Sequence, residues 1–205
     1  MKQYPSIPKL LNTNHDIYTF DKIDGSNIRC EWTRKTKSFV KWGSRKQLLT
    51  SDQGAIADSK ELISDNFLDE LNRVFIDQRY DRVLSFFEVF GADSFAGNHW
   101  EGITDAVLFD VSPYKKGMLP PREFLKLFSE VDTPALLHRG KANSQLVDMV
   151  KASTLEGMTF EGVVCKGPYE RKLGHPIMFK IKSRAWLDKL KNYCGNDGRL
   201  FARLS

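Results

Sequence analysis

Polar residues of chemically useful types break otherwise apolar stretches of this chain at four places. The first is Lys22-Ile23-Asp24-Gly25-Ser26-Asn27. A lysine amine attacks an electrophile only when unprotonated, so a nucleophilic lysine needs desolvation or nearby cationic charge to lower its pKa. Asp24, two residues on, shares a face with Lys22 if a strand persists that far. The second is Glu88, inside Phe86-Phe87-Glu88-Val89-Phe90-Gly91. A carboxylate among aromatics is costly to bury without a partner, and a sugar hydroxyl is one such partner. The third is Glu161-Gly162-Val163-Val164, where a carboxylate is followed by a glycine that lets another group approach closely. That suits a metal-binding or phosphate-proximal carboxylate. The fourth is Phe179-Lys180-Ile181-Lys182. Strand alternation puts both lysines on one face, about 7 Å apart, where two cations can clamp a phosphate. Each cluster also has an ordinary reading: a surface turn, a water-facing edge position, a bulge, the polar face of an edge strand.

The elements that must position these residues follow from periodicity. Residues 15–24 alternate as a strand, and residues 27–34 and 38–43 read as the arms of a hairpin. Ile63, Phe67, Leu71 and Val74 recur at helical spacing across residues 62–75. Residues 83–90, 106–111, 158–165 and 177–182 are rich in β-branched and aromatic side chains and read as strands. Pro120 and Pro121 open a helix over residues 122–131, Asn143 caps another over 144–152, and Ser183 caps a last one that stops near Gly195. About seven strands and four helices, with neighbouring strands joined by short connections, predict an α+β fold with largely antiparallel sheets flanked by helices.

Bulk properties exclude several classes. No apolar run reaches the roughly 18 residues of a membrane helix, and the start MKQYPSIPKLLNTNHD lacks the apolar stretch of a secretory signal. Cys30, Cys165 and Cys194 are too dispersed for a disulfide framework or a CxxC metal site, which fits a reducing cytoplasm. The four histidines are scattered, so no zinc site is visible. A net charge of +5 mildly favours an anionic partner such as nucleic acid.

Each cluster is weak alone, but their order and spacing are specific. Together they resemble the covalent nucleotidyltransferase superfamily of ATP-dependent ligases and mRNA capping enzymes. Lys22–Gly25 is similar to the nucleotide-attachment motif, and Ser44-Arg45-Lys46 to the arginine element after it. Phe87–Gly91 and Val107–Val111 resemble the third motif and the aromatic strand that follows, and Glu161–Val164 and Phe179–Lys182 the fourth and fifth. The resemblance spans residues 18–184 and implies one nucleotidyltransferase (ATP-grasp-like) domain over residues 1–205.

What the resemblance implies is an enzyme that captures AMP covalently on Lys22, using ATP and Mg²⁺ or Mn²⁺. Lys180 and Lys182 would hold the α-phosphate, with Asp24 and Gly25 in the attachment motif. Glu161 would bind the metal, Arg45 and Glu88 the ribose, and Phe109 would stack on the base. Asp21, just before the nucleophile, would accept from the adenine amino group. Asn27 stands where DNA ligases of this type usually carry arginine, and the motif strings look more like nick-sealing RNA ligases. The expected partner is nicked or broken RNA, RNA–DNA hybrids included, with no membrane and a role in RNA repair. The stretch after Lys182 is too short for an OB-fold, so an accessory protein for substrate grip is a further expectation. Two competing readings stay open: a compact ATP-dependent DNA ligase, and a non-catalytic nucleotide- or RNA-binding protein on a ligase scaffold.

Overall fold

The computed structural model describes residues 1–9, 14–49 and 55–205. Among these residues the strands are β1 (Asp16–Asp21), β2 (Ser26–Thr33), β3 (Ser38–Ser44), β4 (Arg82–Phe90), β5 (Asp105–Pro113), β6 (Leu136–Lys141), β7 (Gly162–Glu170) and β8 (His175–Lys182). The helices among them are α1 (Ala55–Asp77), α2 (Pro121–Leu127), α3 (Ser144–Lys151), α4 (Arg184–Cys194) and α5 (Gly198–Leu204). The fold is α+β, as expected from the sequence. The chain divides into two compact units, one of residues 1–6, 25–133 and 169–176, the other of residues 7–24, 134–168 and 177–205.

The first unit is built on an antiparallel sheet of order β3-β2-β4-β5. Alternation sets its two faces. Ile28, Cys30 and Trp32 of β2 join Phe87 and Val89 of β4 in the core, and α1 lays Ile63, Phe67, Leu71, Val74 and Phe75 into the same cluster. Each such side chain, once buried, contributes about 1.5–3 kcal/mol. The Trp32 indole N–H donates to Asn72 Oδ1 at 2.7 Å, so the largest core side chain keeps its one polar group satisfied. The opposite strand face carries Asn27, Arg29 and Glu31, with Asn27 paired across to Glu88.

The second unit holds a four-stranded sheet of order β6-β1-β7-β8, in which β1 runs antiparallel to both β6 and β7. Ile17, Val163, Cys165, Phe179 and Ile181 point to a core closed by Leu146, Val147 and Val150 of α3. Asn143 caps α3 by accepting from Leu146 N, and Ser183 caps α4 by accepting from Trp186 N, both as the sequence predicts. Gly195 ends α4 at φ +54°, in the region that favours glycine.

Several boundaries differ from expectation for identifiable reasons. Strand β6 was not anticipated, because Leu-Leu-His-Arg-Gly-Lys carries the mixed polarity of a sheet edge rather than clean alternation. Helix α5 was missed because it is a seven-residue element just beyond a helix stop. Helix α1 starts earlier than the apolar spacing indicated. The strand expected over 15–24 ends at Asp21, so Asp24 does not share a strand face with Lys22. The strand expected over 158–165 begins only at Gly162, leaving Glu161 just outside it.

Gly162 is the cause of that last difference. Its φ is +137°, and a Cβ there would lie 2.1 Å from the Ile181 carbonyl oxygen. Gly162→Ala is therefore expected to cost about 2 kcal/mol or more, through backbone strain and displacement of β8. Thermal melting should show a drop of several degrees. Gly198→Ala, where a Cβ meets nothing within 4 Å, is the control and should not lower the midpoint.

Candidate functional site

In the second unit, three strand ends bring Lys22, Glu161 and Lys182 together. Lys22 follows the last residue of β1, and its backbone N–H donates to Gly162 O at 2.9 Å. Glu161 immediately precedes β7, and Lys182 is the final residue of β8. Because β1 and β8 flank β7, these ends meet. Lys22 Nζ donates to Glu161 Oε2 at 2.6 Å, and Lys182 Nζ lies 2.9 Å from Glu161 Oε1. One carboxylate thus bridges two ammonium groups. Glu161 is 4% exposed, so the bridge sits in low dielectric, where each charge depends on the others.

The electrostatics follow the geometry. Burial alone would raise the Glu161 pKa, but the charges and hydrogen bonds of Lys22 and Lys182 outweigh it and hold the carboxyl below its ordinary value. Lys182 is shifted down, chiefly by burial and further by the Lys22 charge, against the opposing pull of Glu161. Burial also raises Asp21, opposed by Thr159, whose backbone N–H donates to Asp21 Oδ1 at 3.0 Å.

Lys180 shares a strand face with Lys182, as alternation predicts. Its Nζ donates to Ser205 O at 3.1 Å, while Lys182 Nζ also donates to Leu204 O at 2.9 Å. The two lysines, two residues apart on β8, therefore each already hold a backbone oxygen acceptor. Asp24 is placed by a residue the sequence reading passed over: the Trp186 indole N–H donates to Asp24 Oδ2 at 2.6 Å. The available signal was Ser183-Arg184-Ala185-Trp186, since the cap fixes where the first turn of α4 points.

The first unit gathers the other predicted residues. Phe109 meets Tyr4 edge-on at 5.0 Å and lies 6.2 Å from Phe86, the three rings forming one cluster. Tyr4, unanticipated by any motif, donates its hydroxyl to Asp110 Oδ2 at 2.5 Å. Burial, Asp110 and Glu88 raise the Tyr4 pKa while Arg45 lowers it, so Glu88 and Arg45 act on the same phenol. Gly25 runs close under β4: a Cβ there would lie 2.3 Å from Val89 O and 3.1 Å from Glu88 Cγ. Asn27 Oδ1 and the Nε and Nη1 of Arg29 are buried without a hydrogen-bond partner among the described residues.

Among the described residues, no group of three or more His, Cys, Asp and Glu could hold a metal ion by itself. A lone carboxylate such as Glu161 still suits Mg²⁺, which is usually held by one or two carboxylates together with substrate phosphates and water. Among the same residues, no helix is long and apolar enough to cross a membrane.

No family model matches the chain, and no curated protein sequence matches it. Solved structures do. Naegleria gruberi RNA ligase with pyrophosphate is 20% identical, with a TM-score of 0.62 over 87% of this chain and 52% of that one. A lysine-to-alanine variant of that ligase, with ATP and manganese, is 21% identical at the same TM-score and coverage. An apo aspartate-to-alanine variant has a TM-score of 0.63 at 20% identity, over 93% of this chain and 60% of that one. The fold is thus like that of this RNA ligase. The chain spans little more than half the length of those ligase chains.

Replacing Glu161 by glutamine keeps the shape and removes the bridging charge. Glu161→Gln is expected to cost about 3 kcal/mol at pH 7, because two ammonium groups lose their shared counter-ion. A carboxylate with a depressed folded-state pKa stabilises fully above its ordinary value, here 4.5, and that stability disappears as pH falls through the depressed value. The gap between wild type and variant in denaturant titrations should therefore narrow below about pH 4.5. A gap of constant size from pH 7 to pH 3 would show that the ion pairs are not its source.

Proposed function

We propose that this chain is an ATP-dependent RNA ligase that works through a lysyl–AMP intermediate. The observation that carries the reading is the Lys22–Glu161–Lys182 ion-pair chain, a nucleophile candidate held beside a buried carboxylate and a second cation. The Lys22 amine, once deprotonated, attacks the α-phosphorus of ATP. The P–N bond forms as the bond to pyrophosphate breaks. AMP then passes to the 5′-phosphate of a broken strand, restoring the Lys22 amine, and a 3′-hydroxyl displaces AMP to seal the strand.

The residues divide that work by their chemistry. Lys180 and Lys182 exchange the carbonyl oxygens of Ser205 and Leu204 for phosphate oxygens and offset charge on the transferring group. Glu161 would hold a Mg²⁺ or Mn²⁺ ion, which would supply further positive charge during the transfer. By the family resemblance, Arg45 and Glu88 would hold the ribose, Phe109 would take the base, and the buried Asp21 would accept from the adenine amino group. In support, Naegleria ligase structures hold ATP with manganese, AMP with manganese, or pyrophosphate. These are the reactant, the transferred group and the leaving group of such a first step.

RNA is the substrate we favour. Phosphate contacts set register without separating RNA from DNA, whereas 2′-hydroxyls and A-form shape can separate them. The basic residues Lys189, Lys191, Arg199 and Arg203 on α4 and α5 extend a surface for phosphates.

Two measurements test the proposal. Alanine at Glu161, Lys180 or Lys182 should slow AMP capture by roughly 100-fold or more, the scale of losing a preorganised electrostatic group. Near-normal capture in all three variants places the clamp elsewhere. Sealing should then be compared on one nick sequence with ribose or deoxyribose at the 3′-hydroxyl end. Ribose ends should be joined faster, with rates falling as salt rises. Equal rates on all-DNA nicks would replace this reading with that of a compact DNA ligase.

A further inference from the structure

Trp186 is 1% exposed, and its contacts reach further than its place in a helix requires. Its backbone N–H donates to Ser183 Oγ at 3.0 Å. Ser183 in turn donates through Oγ to Phe160 O at 2.7 Å and through its backbone N–H to Glu161 O at 3.0 Å. The indole is thereby tied to the backbone that carries Glu161. Its N–H donates to Asp24 Oδ2 at 2.6 Å, and Lys182 Nζ lies over its ring, 3.6 Å from the centroid.

We propose that Trp186 is a positioning residue that holds Asp24 and Lys182 in one fixed relation, so that the loop after Lys22 and the end of β8 move as one piece. This rests on the ligase reading above for its catalytic consequence, but not for its geometry. The chemistry of the side chain suits the task. The indole offers one donor and no acceptor, so a buried Trp186 has a single polar demand, which Asp24 meets. A charge-assisted bond of this kind is stronger than a neutral one and fixes the carboxylate in direction. The ring face is the negative end of the aromatic quadrupole, and it favours the ammonium of Lys182 where burial disfavours it. Residues 22–25 form no strand, so the backbone ladder does not hold Asp24 in place. The indole bond supplies what the missing ladder does not.

Phenylalanine separates the two contacts, since it keeps a ring face for Lys182 and removes the donor for Asp24. Trp186→Phe should lower the maximal rate of AMP capture about 10-fold or more, the effect of losing a hydrogen bond to a charged group, with the KM for ATP nearly unchanged. Trp186→Leu removes both contacts and should raise the KM as well, because Lys182 loses its platform. If Trp186→Leu does not fold, Trp186→Phe carries the kinetic test alone.

A second readout is independent of catalysis. The indole N–H resonance of Trp186 in ¹⁵N-labelled protein, assigned by its absence from Trp186→Phe, should shift in Asp24→Asn. A resonance that does not move in Asp24→Asn overturns the proposal, as does a Trp186→Phe protein that captures AMP at the wild-type rate. If the wild-type protein captures no AMP at all, the ligase reading fails, and the indole resonance still decides whether Trp186 holds Asp24.

Discussion

A buried carboxylate with a positive charge on each of its oxygens governs this structure. Taking Glu161 out of water carries a large desolvation penalty, which Lys22 and Lys182 offset only because both ammonium groups reach within hydrogen-bond distance. That geometry needs three strand ends at one place. The order β1-β7-β8 supplies it, and the pairing of Asp21 with Val163 sets the register that brings Lys22 alongside Glu161. A one-residue slip of β1 against β7 would break the bridge and leave a buried charge unpaired, so the ion pairs select the register as well as depending on it.

The same arrangement explains why small residues and caps surround the charges. Gly162 lets the chain turn from Glu161 into β7 beneath the Ile181 carbonyl, where no side chain fits. Ser183 follows the last residue of β8, caps α4 and bonds back to the backbone at Phe160 and Glu161. Local backbone geometry, a helix cap and an ion-pair chain thus converge on three or four consecutive residues in each of two segments. Agreement between levels of this kind is what lets a sequence specify one arrangement.

Much of this was legible in the sequence, and the rest was illegible for physical reasons. The lysine pair at 180 and 182 was readable because strand alternation is a local rule. The caps at Asn143 and Ser183 were readable because capping is local too. The partnership of Lys22 with Glu161 was not derivable from spacing, since 139 residues separate them and only sheet order joins them. Trp186 and Tyr4 escaped notice because each acts through a contact distant in sequence and belongs to no polar cluster. Lys22 and Asp24 would share a strand face only if the strand ran on to them, and β1 stops at Asp21. Strand β6 was hidden by the composition of an edge.

Lys22 is the residue proposed to become covalently joined to AMP. Intact-mass measurement after incubation with ATP and Mg²⁺, followed by peptide mapping of the adduct, tests it most directly. The protein should gain one AMP, in an acid-labile bond on the peptide containing Lys22. Lys22→Ala and Lys22→Arg should abolish the adduct, since arginine stays protonated and cannot attack. An adduct that persists in Lys22→Ala, or that maps to another residue, contradicts it.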